Sequence, residues 1–206
     1  MLDIESYTTA SSDGINEDFF LWEEVSPGVM AVVAADGMGG LARGYEAAKL
    51  ASESIVSFLM KYYGEKSKED LLVESLLYAN GVIAHWESSL HIKSGTSIAV
   101  VLIDDSECCY TWIGDVRIYH STANGIELMT DDHVLKEGNH MFLTRSLNGK
   151  PFRHQPEARA IGLNHGVEII MATDGYYLNN DILGGTTDIE VIDDDATFIL
   201  IKFKQC

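Results

Sequence analysis

The sequence predicts an α+β fold, an α-β-β-α sandwich in which two antiparallel sheets pack together and are flanked by helices. The order of the elements is the first observation behind it. Strand-like runs are followed by two amphipathic helices and then mostly by strands, which favours layers over an alternating parallel sheet. The second is that several strands are apolar on both alternating faces, with Tyr110 and Trp112 on one side and Cys109 and Ile113 on the other. Such strands need cover on both faces.

The elements of the first half follow from hydrophobic periodicity. Residues 29–35 form a short apolar, β-branched run that ends at Asp36, which predicts a buried strand delivering a carboxylate to a turn. Apolar residues at intervals of three and four predict an amphipathic helix over 45–62. A second helix is predicted from an N-cap at Ser67 to about Leu90. Two helices joined by a short loop should pack antiparallel.

The second half changes to strand periodicity after Gly95. Turn signals of the Asp-Asp, Gly-Asp and Asn-Gly kind separate the apolar runs. Strands are predicted at 98–103, 108–113, 116–120, 168–172 and 198–203. The sequence contains no repeat and no low-complexity linker, so we expect one domain over residues 1–206.

Charge and composition exclude several classes of partner. The chain carries 14 Lys and Arg against 32 Asp and Glu, a net charge of −18, which repels nucleic acid and anionic lipid. Its apolar stretches are far shorter than the roughly 20 residues that span a bilayer. It shows no secretory signal, and its three cysteines form neither a disulfide framework nor a CxxC metal site. We therefore expect a cytoplasmic protein that binds neither nucleic acid nor membrane.

Carboxylates beside glycines lie at the predicted strand ends. They occur in Asn16-Glu17-Asp18, Asp36-Gly37-Met38-Gly39-Gly40, Gly114-Asp115, Asp174-Gly175 and Asp193-Asp194-Asp195. Carboxylate and carbonyl oxygens with water are the ligands that Mg²⁺ and Mn²⁺ prefer. Any one Asp-Gly pair is also the composition of a plain turn, whereas several at strand ends favour a metal site.

These motifs resemble those of the metal-dependent, type 2C protein serine/threonine phosphatases, especially the bacterial ones, over nearly the whole chain. Eight motifs occur in the family's order: Asn16-Glu17-Asp18, Asp36-Gly37-Met38-Gly39-Gly40, Gly95-Thr96-Ser97, Gly114-Asp115-Val116-Arg117, Thr130-Asp131-Asp132-His133, Leu143-Thr144-Arg145-Ser146-Leu147, Ala172-Thr173-Asp174-Gly175 and Asp194-Asp195-Ala196-Thr197. The resemblance implies an α-β-β-α sandwich with a centre of two Mg²⁺ or Mn²⁺ ions at one end.

The resemblance also implies which residues are ligands and which are catalytic. Asp36 would bridge both ions, and the carbonyl oxygen of Gly37 would bind one of them. Asp174 and Asp194 would hold the other ion. Asp36, Asp174 and Asp194 are thereby the implied catalytic residues.

The first motif would complete the centre, because Glu17 and Asp18 would bind the neighbouring ion or orient its waters. Two close ions lower the pKa of a bridging water and neutralise charge on the phosphoryl group. The implied reaction is hydrolysis of phosphoserine or phosphothreonine on a protein by this bridging hydroxide. The implied partner is a substrate of a serine/threonine kinase.

The chain departs from the family at the residue that grips the substrate phosphate. The family usually has Arg four residues before the Glu of the first motif, and here that position is Asp13. A carboxylate there would repel phosphate, so either activity is reduced, another cation serves, or Asp13 faces away. Arg43 is the candidate substitute.

A second departure concerns a third, weaker ion. The family often places an Asp four residues after the Asp of the Asp-Gly motif, and here it is Leu178. A third metal site on Asp115 is therefore doubtful, and Asp115 is also explained as a turn residue. At three other family positions we expect structural roles, a hydrogen bond for His133 and ion pairs for Arg117 and Arg145.

A third departure is the short stretch between Asp174 and Asp194. It leaves reduced helical cover over the second sheet, so a second copy of the chain is one way to cover it, and a homodimer is predicted. Two alternatives to the enzyme stay open. One is a pseudophosphatase that binds phosphoprotein or kinase with weak or no turnover, and the other is an acidic domain that only binds cations.

Overall fold

The computed structural model describes residues 2–12, 14–138, 140–163, 167–184 and 194–203. The helices are α1 (Gly44–Tyr62), α2 (Lys68–Leu90) and α3 (Asp174–Tyr177). The strands are β1 (Leu2–Thr9), β2 (Asp18–Ser26), β3 (Val29–Gly37), β4 (Thr96–Ile103), β5 (Glu107–Ile113), β6 (Arg117–Thr122), β7 (Gly125–Leu128), β8 (Val134–Glu137), β9 (His140–Leu143), β10 (Ala158–Gly162), β11 (Glu168–Ala172) and β12 (Ala196–Phe203).

Two five-stranded antiparallel sheets form the centre of the fold. The first sheet has the order β10-β5-β4-β3-β2, and the second has the order β1-β12-β11-β6-β7. Strands β8 and β9 form a separate two-stranded hairpin. The predicted class, α+β with two antiparallel sheets and helices, is confirmed.

Strand β3 shows why both faces of the first sheet are apolar. Val33 and Ala35 face the core shared with α1 and α2, whereas Val32 and Ala34 face the core between the sheets. All four side chains are fully buried. Alternation along a strand sends successive side chains to opposite faces, so a strand buried on both sides must be apolar throughout.

The two long helices agree with their predicted spans to within one residue at each end. Ser67 is the N-cap of α2, and its hydroxyl accepts a hydrogen bond of 3.1 Å from the backbone N–H of Asp70. Helix α1 begins differently, because its N-cap Arg43 has left-handed backbone angles (φ 61°) and gives no side-chain cap. No helix in the described part of the chain is long and apolar enough to cross a membrane.

The outer face of the second sheet is covered more fully than the sequence suggests. Tyr176, Tyr177 and Ile182 pack against the β11 and β12 side chains Ala172 and Ala196, and all five are buried. Helix α3 has only four residues, in keeping with reduced helical cover. Because large aromatic side chains fill part of this layer, the physical reason for a homodimer is weaker than expected, and the homodimer itself stays a prediction.

Candidate metal centre

The first sheet brings two predicted carboxylates together at one end. Asp18 begins β2 and Asp36 lies near the end of β3, and the antiparallel register places the two residues directly opposite each other. Residues directly opposite in an antiparallel pair have Cβ atoms about 4.5–5.5 Å apart. The register alone therefore creates a pair of neighbouring acids.

The second sheet brings two further carboxylates to the same end. Asp174 follows β11 as the first residue of α3, and Asp194 lies two residues before β12 begins. Strands β11 and β12 are antiparallel neighbours, so the end of one strand meets the start of the other. Asp174 and Asp194 consequently lie at the same end of the strands of the second sheet.

Hydrogen bonds through Thr173 join the two sheets at this edge. The Thr173 hydroxyl donates to Oδ2 of Asp18 over 2.8 Å, which connects the second sheet to the first. The same hydroxyl accepts a bond of 2.8 Å from the backbone N–H of Thr197. The carboxylates of both sheets are thus held at a shared rim.

A pocket of about 410 Å³ opens at this rim. Six of the predicted site residues line it, namely Glu17, Asp36, Gly37, Asp115, Asp174 and Asp194. Asp18 is not in the lining and lies buried, with 5% of its surface exposed. No lysine, arginine or histidine is among the described residues that line the pocket.

The acids of this cluster oppose one another's ionisation. Burial raises the pKa of Asp36 well above its usual value, and the charges of Asp18 and Asp174 raise it further. Burial also raises the pKa of Asp174 to about 6, with added repulsion from Asp115 and Asp194. A cluster of buried carboxylates without a cation is electrostatically unfavourable.

Burial is also the main reason that the pKa of Asp18 rises to about 8. Hydrogen bonds from Thr197 and Thr173 lower this pKa in part, and the nearby charges of Asp195 and Asp174 raise it. The other carboxylate oxygen of Asp18, Oδ1, is buried and has no hydrogen-bond partner among the described residues. An orphaned buried oxygen beside other acids is a site that a cation would satisfy.

The donor set fits Mg²⁺ or Mn²⁺. All its side-chain donors are carboxylates, which suit hard divalent ions. In the described part of the chain, no three acidic, histidine or cysteine side chains are close enough together to hold a metal ion by themselves. A site with few direct protein ligands still suits Mg²⁺, because this ion usually keeps several waters and binds proteins through one or two carboxylates.

Gly37 and Gly175 permit close backbone packing rather than a special turn. Neither has a positive φ. A Cβ on Gly37 would lie 2.3 Å from the carbonyl carbon of Gly44, and one on Gly175 would lie 2.2 Å from the carbonyl oxygen of Asp195. The lack of a side chain at these two glycines lets α1 and the Asp195 segment approach the strand ends.

Adjacent residues in the last motif make different contacts. Asp195 accepts backbone hydrogen bonds from Ser11 (2.8 Å) and Glu17 (2.7 Å), one on each carboxylate oxygen. Asp194 accepts only a local bond from the N–H of Asp195 (2.9 Å) among the described contacts, and it is exposed. Asp195 therefore anchors the loop before β2, while Asp194 keeps acceptor capacity for an ion.

Glu17 and Arg43 lie at the start of α1. The Glu17 carboxylate accepts a bond of 3.1 Å from the N–H of Gly44, the first residue of the helix. Arg43 is exposed and is not among the residues that line the pocket. The structure thus gives no support to Arg43 as the phosphate-gripping residue, and Asp13 lies outside the described residues.

Three family-type positions have structural contacts. Arg117 makes a two-pronged ion pair with Asp132, with distances of 2.7 and 3.0 Å. Arg145 bonds to the His133 ring at 2.9 Å and to two backbone carbonyls, and the described residues show no ion pair for it. The expectation of an ion pair is therefore met at Arg117 only.

Sequence reasoning missed one wall of the pocket. The pocket is also lined by four residues of the β8–β9 hairpin, Val134, Met141, Phe142 and Leu143. Met141 and Phe142 are 53% and 52% exposed. Exposed apolar residues in a short polar segment are a signal for a contact surface, although four-residue strands leave too little periodicity to identify it.

The fold and the pocket define an α+β sandwich protein with an acidic candidate metal centre. Residues 7–195 match the family model described as Protein phosphatase 2C. The chain therefore belongs to the protein phosphatase 2C family.

Individual relatives agree with this family. A 2C-type protein phosphatase of Streptococcus pyogenes serotype M6 is 32% identical over 127 residues, which are 58% of this chain and 50% of that protein. The chain thus matches about half the length of this curated relative. The catalytic domain of the phosphatase PstP with two manganese ions has a TM-score of 0.79 at 19% identity, covering 98% of this chain and 97% of that one. The phosphatase Stp1 of Staphylococcus aureus has a TM-score of 0.83 at 18% identity, covering 100% and 96%.

Proposed function

We propose that the chain is a Mg²⁺- or Mn²⁺-dependent phosphatase that hydrolyses phosphoserine or phosphothreonine on proteins. The observation that carries this proposal is the meeting of carboxylates from both sheets in one pocket that no described cation lines. Family membership and the resemblance to PstP, a phosphatase domain solved with two manganese ions, support it.

The proposed ligands divide between the two sheets. Asp36 is the proposed shared ligand, because the charges of Asp18, Asp174, Asp115 and Asp194 all act on it. The Gly37 carbonyl would add a ligand on the first sheet. Asp174 and Asp194 would hold an ion on the side of the second sheet.

Glu17 and Asp18 are the remaining acids of the proposed centre. Asp18 is fixed by the Thr173 hydroxyl through one oxygen and has the other oxygen unpartnered among the described residues. Glu17 is oriented by the N–H of Gly44. Both carboxylates are therefore held in place for direct binding or for hydrogen bonds to coordinated water.

When bound, two divalent ions supply an activated water and the positive charge that a phosphoryl group needs in its transition state. The chain's own residues prepare the site for them. Burial and mutual repulsion raise the pKa values of Asp36 and Asp174, so a cation that binds these two carboxylates favours release of their protons. Met141 and Phe142 add apolar side chains to the lining of the pocket.

Three finer statements belong to the same proposal. The phosphoprotein partner would be a product of a serine/threonine kinase. A cytoplasmic location is supported by the free, buried thiols of Cys108 and Cys109 in β5, because a reducing compartment keeps such thiols unpaired. A homodimer would be visible by light scattering at micromolar concentration.

A metal-dependence assay tests the proposal. The purified chain, with p-nitrophenyl phosphate and with a phosphoserine peptide, should turn over both when Mn²⁺ is added and neither in excess chelator. Asp36→Asn should reduce kcat by several orders of magnitude, because it removes the proposed shared charge. Asp105→Asn, at an exposed position in the β4–β5 turn, is the matched control and should keep the parental rate.

Two outcomes of this assay would contradict the proposal. Turnover that persists in excess chelator would exclude metal-dependent hydrolysis. Tight binding of Mn²⁺ and phosphopeptide without turnover would instead identify the pseudophosphatase.

A further inference from the structure

A groove lined by cations lies next to the acidic pocket. Its volume is about 630 Å³, and all of its described lining residues belong to the segment 143–154 between β9 and β10. Arg145, Lys150, Arg153 and His154 are among them, and no Asp or Glu is. We call it the 143–154 groove.

Such a surface is unusual on a protein with a net charge of −18. Several other cations of the chain are paired with carboxylates, such as Lys68 with Asp104 and Glu107. By contrast, Lys150 and Arg153 are exposed and form no ion pair with any described carboxylate. Their positive charge is therefore directed to solvent rather than neutralised within the fold.

Two sets of contacts fix the frame of the groove. Arg145 closes the loop, because its Nη2 donates to the carbonyl oxygens of His154 (3.2 Å) and Gln155 (3.3 Å). Leu147 forms an antiparallel bridge with Thr96 of β4, with N–H to O distances of 2.9 and 3.0 Å. The segment is thereby closed on itself by Arg145 and attached to β4 through Leu147.

Asn80 of α2 holds the turn that carries Lys150. Its Oδ1 accepts the backbone N–H groups of Asn148 (3.1 Å) and Gly149 (3.0 Å), and its Nδ2 donates to the carbonyl of Lys150 (2.8 Å). Asn80 itself is buried, with 7% of its surface exposed. A docking surface built in advance loses little conformational entropy when a ligand binds.

The groove adjoins the proposed catalytic site. Leu143 lines both the acidic pocket and the 143–154 groove. Residues that flank a phosphorylated residue in the pocket would therefore lie near the cationic groove. The charges of the two sites also differ in sign, so the groove favours ligand groups that the metal-free pocket repels.

We propose that the 143–154 groove docks an acidic segment of the protein substrate, rich in Asp and Glu and adjacent to the phosphorylated residue. This proposal rests on the proposed function, since it assigns a substrate preference to the same site. A short acidic segment meets the local cations, whereas a long polyanion such as RNA also meets the negative charge of the remaining surface.

Binding of an unphosphorylated peptide tests the groove without any catalysis. A fluorescein-labelled peptide of alternating Glu and Ser is titrated with the chain, and anisotropy is recorded. The double variant Lys150→Glu/Arg153→Glu should weaken binding by about tenfold or more, because attraction becomes repulsion at two positions. The control Lys49→Glu/Lys61→Glu makes the same change of net charge on α1, outside the groove, and should change binding by less than about threefold.

Kinetics with two phosphopeptides then test the assigned preference. The ratio of kcat/KM for an acidic-flanked peptide over a neutral-flanked peptide should exceed one in the parent and fall by about tenfold in the groove variant.

A ratio near one in the parent, or equal losses in groove and control variants, would overturn the docking proposal while hydrolysis of p-nitrophenyl phosphate still supports the phosphatase. Failure to hydrolyse p-nitrophenyl phosphate would contradict the phosphatase, and the anisotropy result would still decide the groove. Tighter binding of a short single-stranded RNA than of the peptide would also overturn the proposal.

Discussion

Two adjacent acids, Asp194 and Asp195, differ in what they contact. Asp195 is buried and accepts hydrogen bonds from two backbone N–H groups, so each of its carboxylate oxygens already has a partner. Both residues line the pocket, and Asp194 is the exposed one. That the first of the two residues is the metal ligand stays a prediction.

We expect Asp195→Asn and Asp194→Asn to affect different properties. Asp195→Asn should lower the free energy of unfolding by about 1–3 kcal/mol in chelator, because one buried N–H loses its acceptor. Asp194→Asn should change it by less than about 0.5 kcal/mol but weaken Mn²⁺ affinity. Chemical denaturation and calorimetric Mn²⁺ titration measure the two effects. Loss of Mn²⁺ affinity in the Asp195 variant alone would mean that the predicted register is off by one.

His133 makes stability depend on pH. Burial, together with the positive charge of Arg145, lowers its pKa from 6.5 to about 4. The Gly114 N–H (3.1 Å) and an Arg145 nitrogen (2.9 Å) approach the two ring nitrogens, and both are donors, so a protonated ring is disfavoured. A lowered histidine pKa contributes stability that is present above pH 6.5 and is lost as pH falls from 6.5 towards 4.

The variant His133→Asn should therefore show a smaller loss of stability between pH 6.5 and 4 than the parent. The difference between variant and parent isolates the histidine from the many carboxylates that titrate in the same range. Denaturation curves at pH 7, 5.5 and 4.5 measure it. Parallel pH profiles for the two proteins would show that His133 does not titrate differently in the folded state.

The sequence predicted acidic site residues better than cationic ones. Asp36 lies at the end of one apolar strand and Asp174 just after another, so their place at strand ends follows from the apolar runs before them. Arg43 was the candidate phosphate-gripping residue because it follows the glycines after Asp36. It lies at the N-cap of α1 in a left-handed conformation that the sequence pattern does not indicate, and its role stays a prediction.

At the scale of elements, α3 and the Asp195 segment need a glycine between them. Gly175→Ala would place a Cβ 2.2 Å from the carbonyl oxygen of Asp195, so the backbone must move. We expect a loss of more than about 2 kcal/mol in unfolding free energy together with weaker Mn²⁺ binding. Gly162→Ala is the control, because nothing lies within 4 Å of its Cβ position, and it should change stability by less than about 1 kcal/mol. Similar stability of both variants would contradict the close packing.

The predictable elements were the long or strongly apolar ones. Helices α1 and α2 have apolar residues at helical spacing over 19 and 23 residues, and strand β4 is a buried run of 8 residues. Strands β7, β8 and β9 have four residues each and were not predicted, and neither were β2 and β10. Strand β1 was also missed, because its polar sequence is stabilised by pairing with β12 from the far end of the chain, as Leu2 opposite Phe203 shows.

For the whole molecule, the site depends on how the two sheets meet. The Thr173–Asp18 hydrogen bond spans the sheets, and the acids on either side repel one another. The resemblance to the family indicated this arrangement, whereas strand periodicity did not reveal which ends of the two sheets coincide. Added Mn²⁺ should raise the thermal midpoint of unfolding, since an ion that binds only the folded chain stabilises it. An unchanged midpoint at saturating Mn²⁺ would contradict a metal centre.

The central claim is that carboxylates from both sheets hold two ions around Asp36. Anomalous diffraction from crystals grown with Mn²⁺ tests it most directly, because manganese is located without reference to activity. We expect two peaks in the pocket of the parent, on either side of the Asp36 carboxylate, and fewer than two in Asp36→Asn crystals. Manganese peaks only elsewhere on the acidic surface, or two unchanged peaks in the Asp36→Asn variant, would contradict the account.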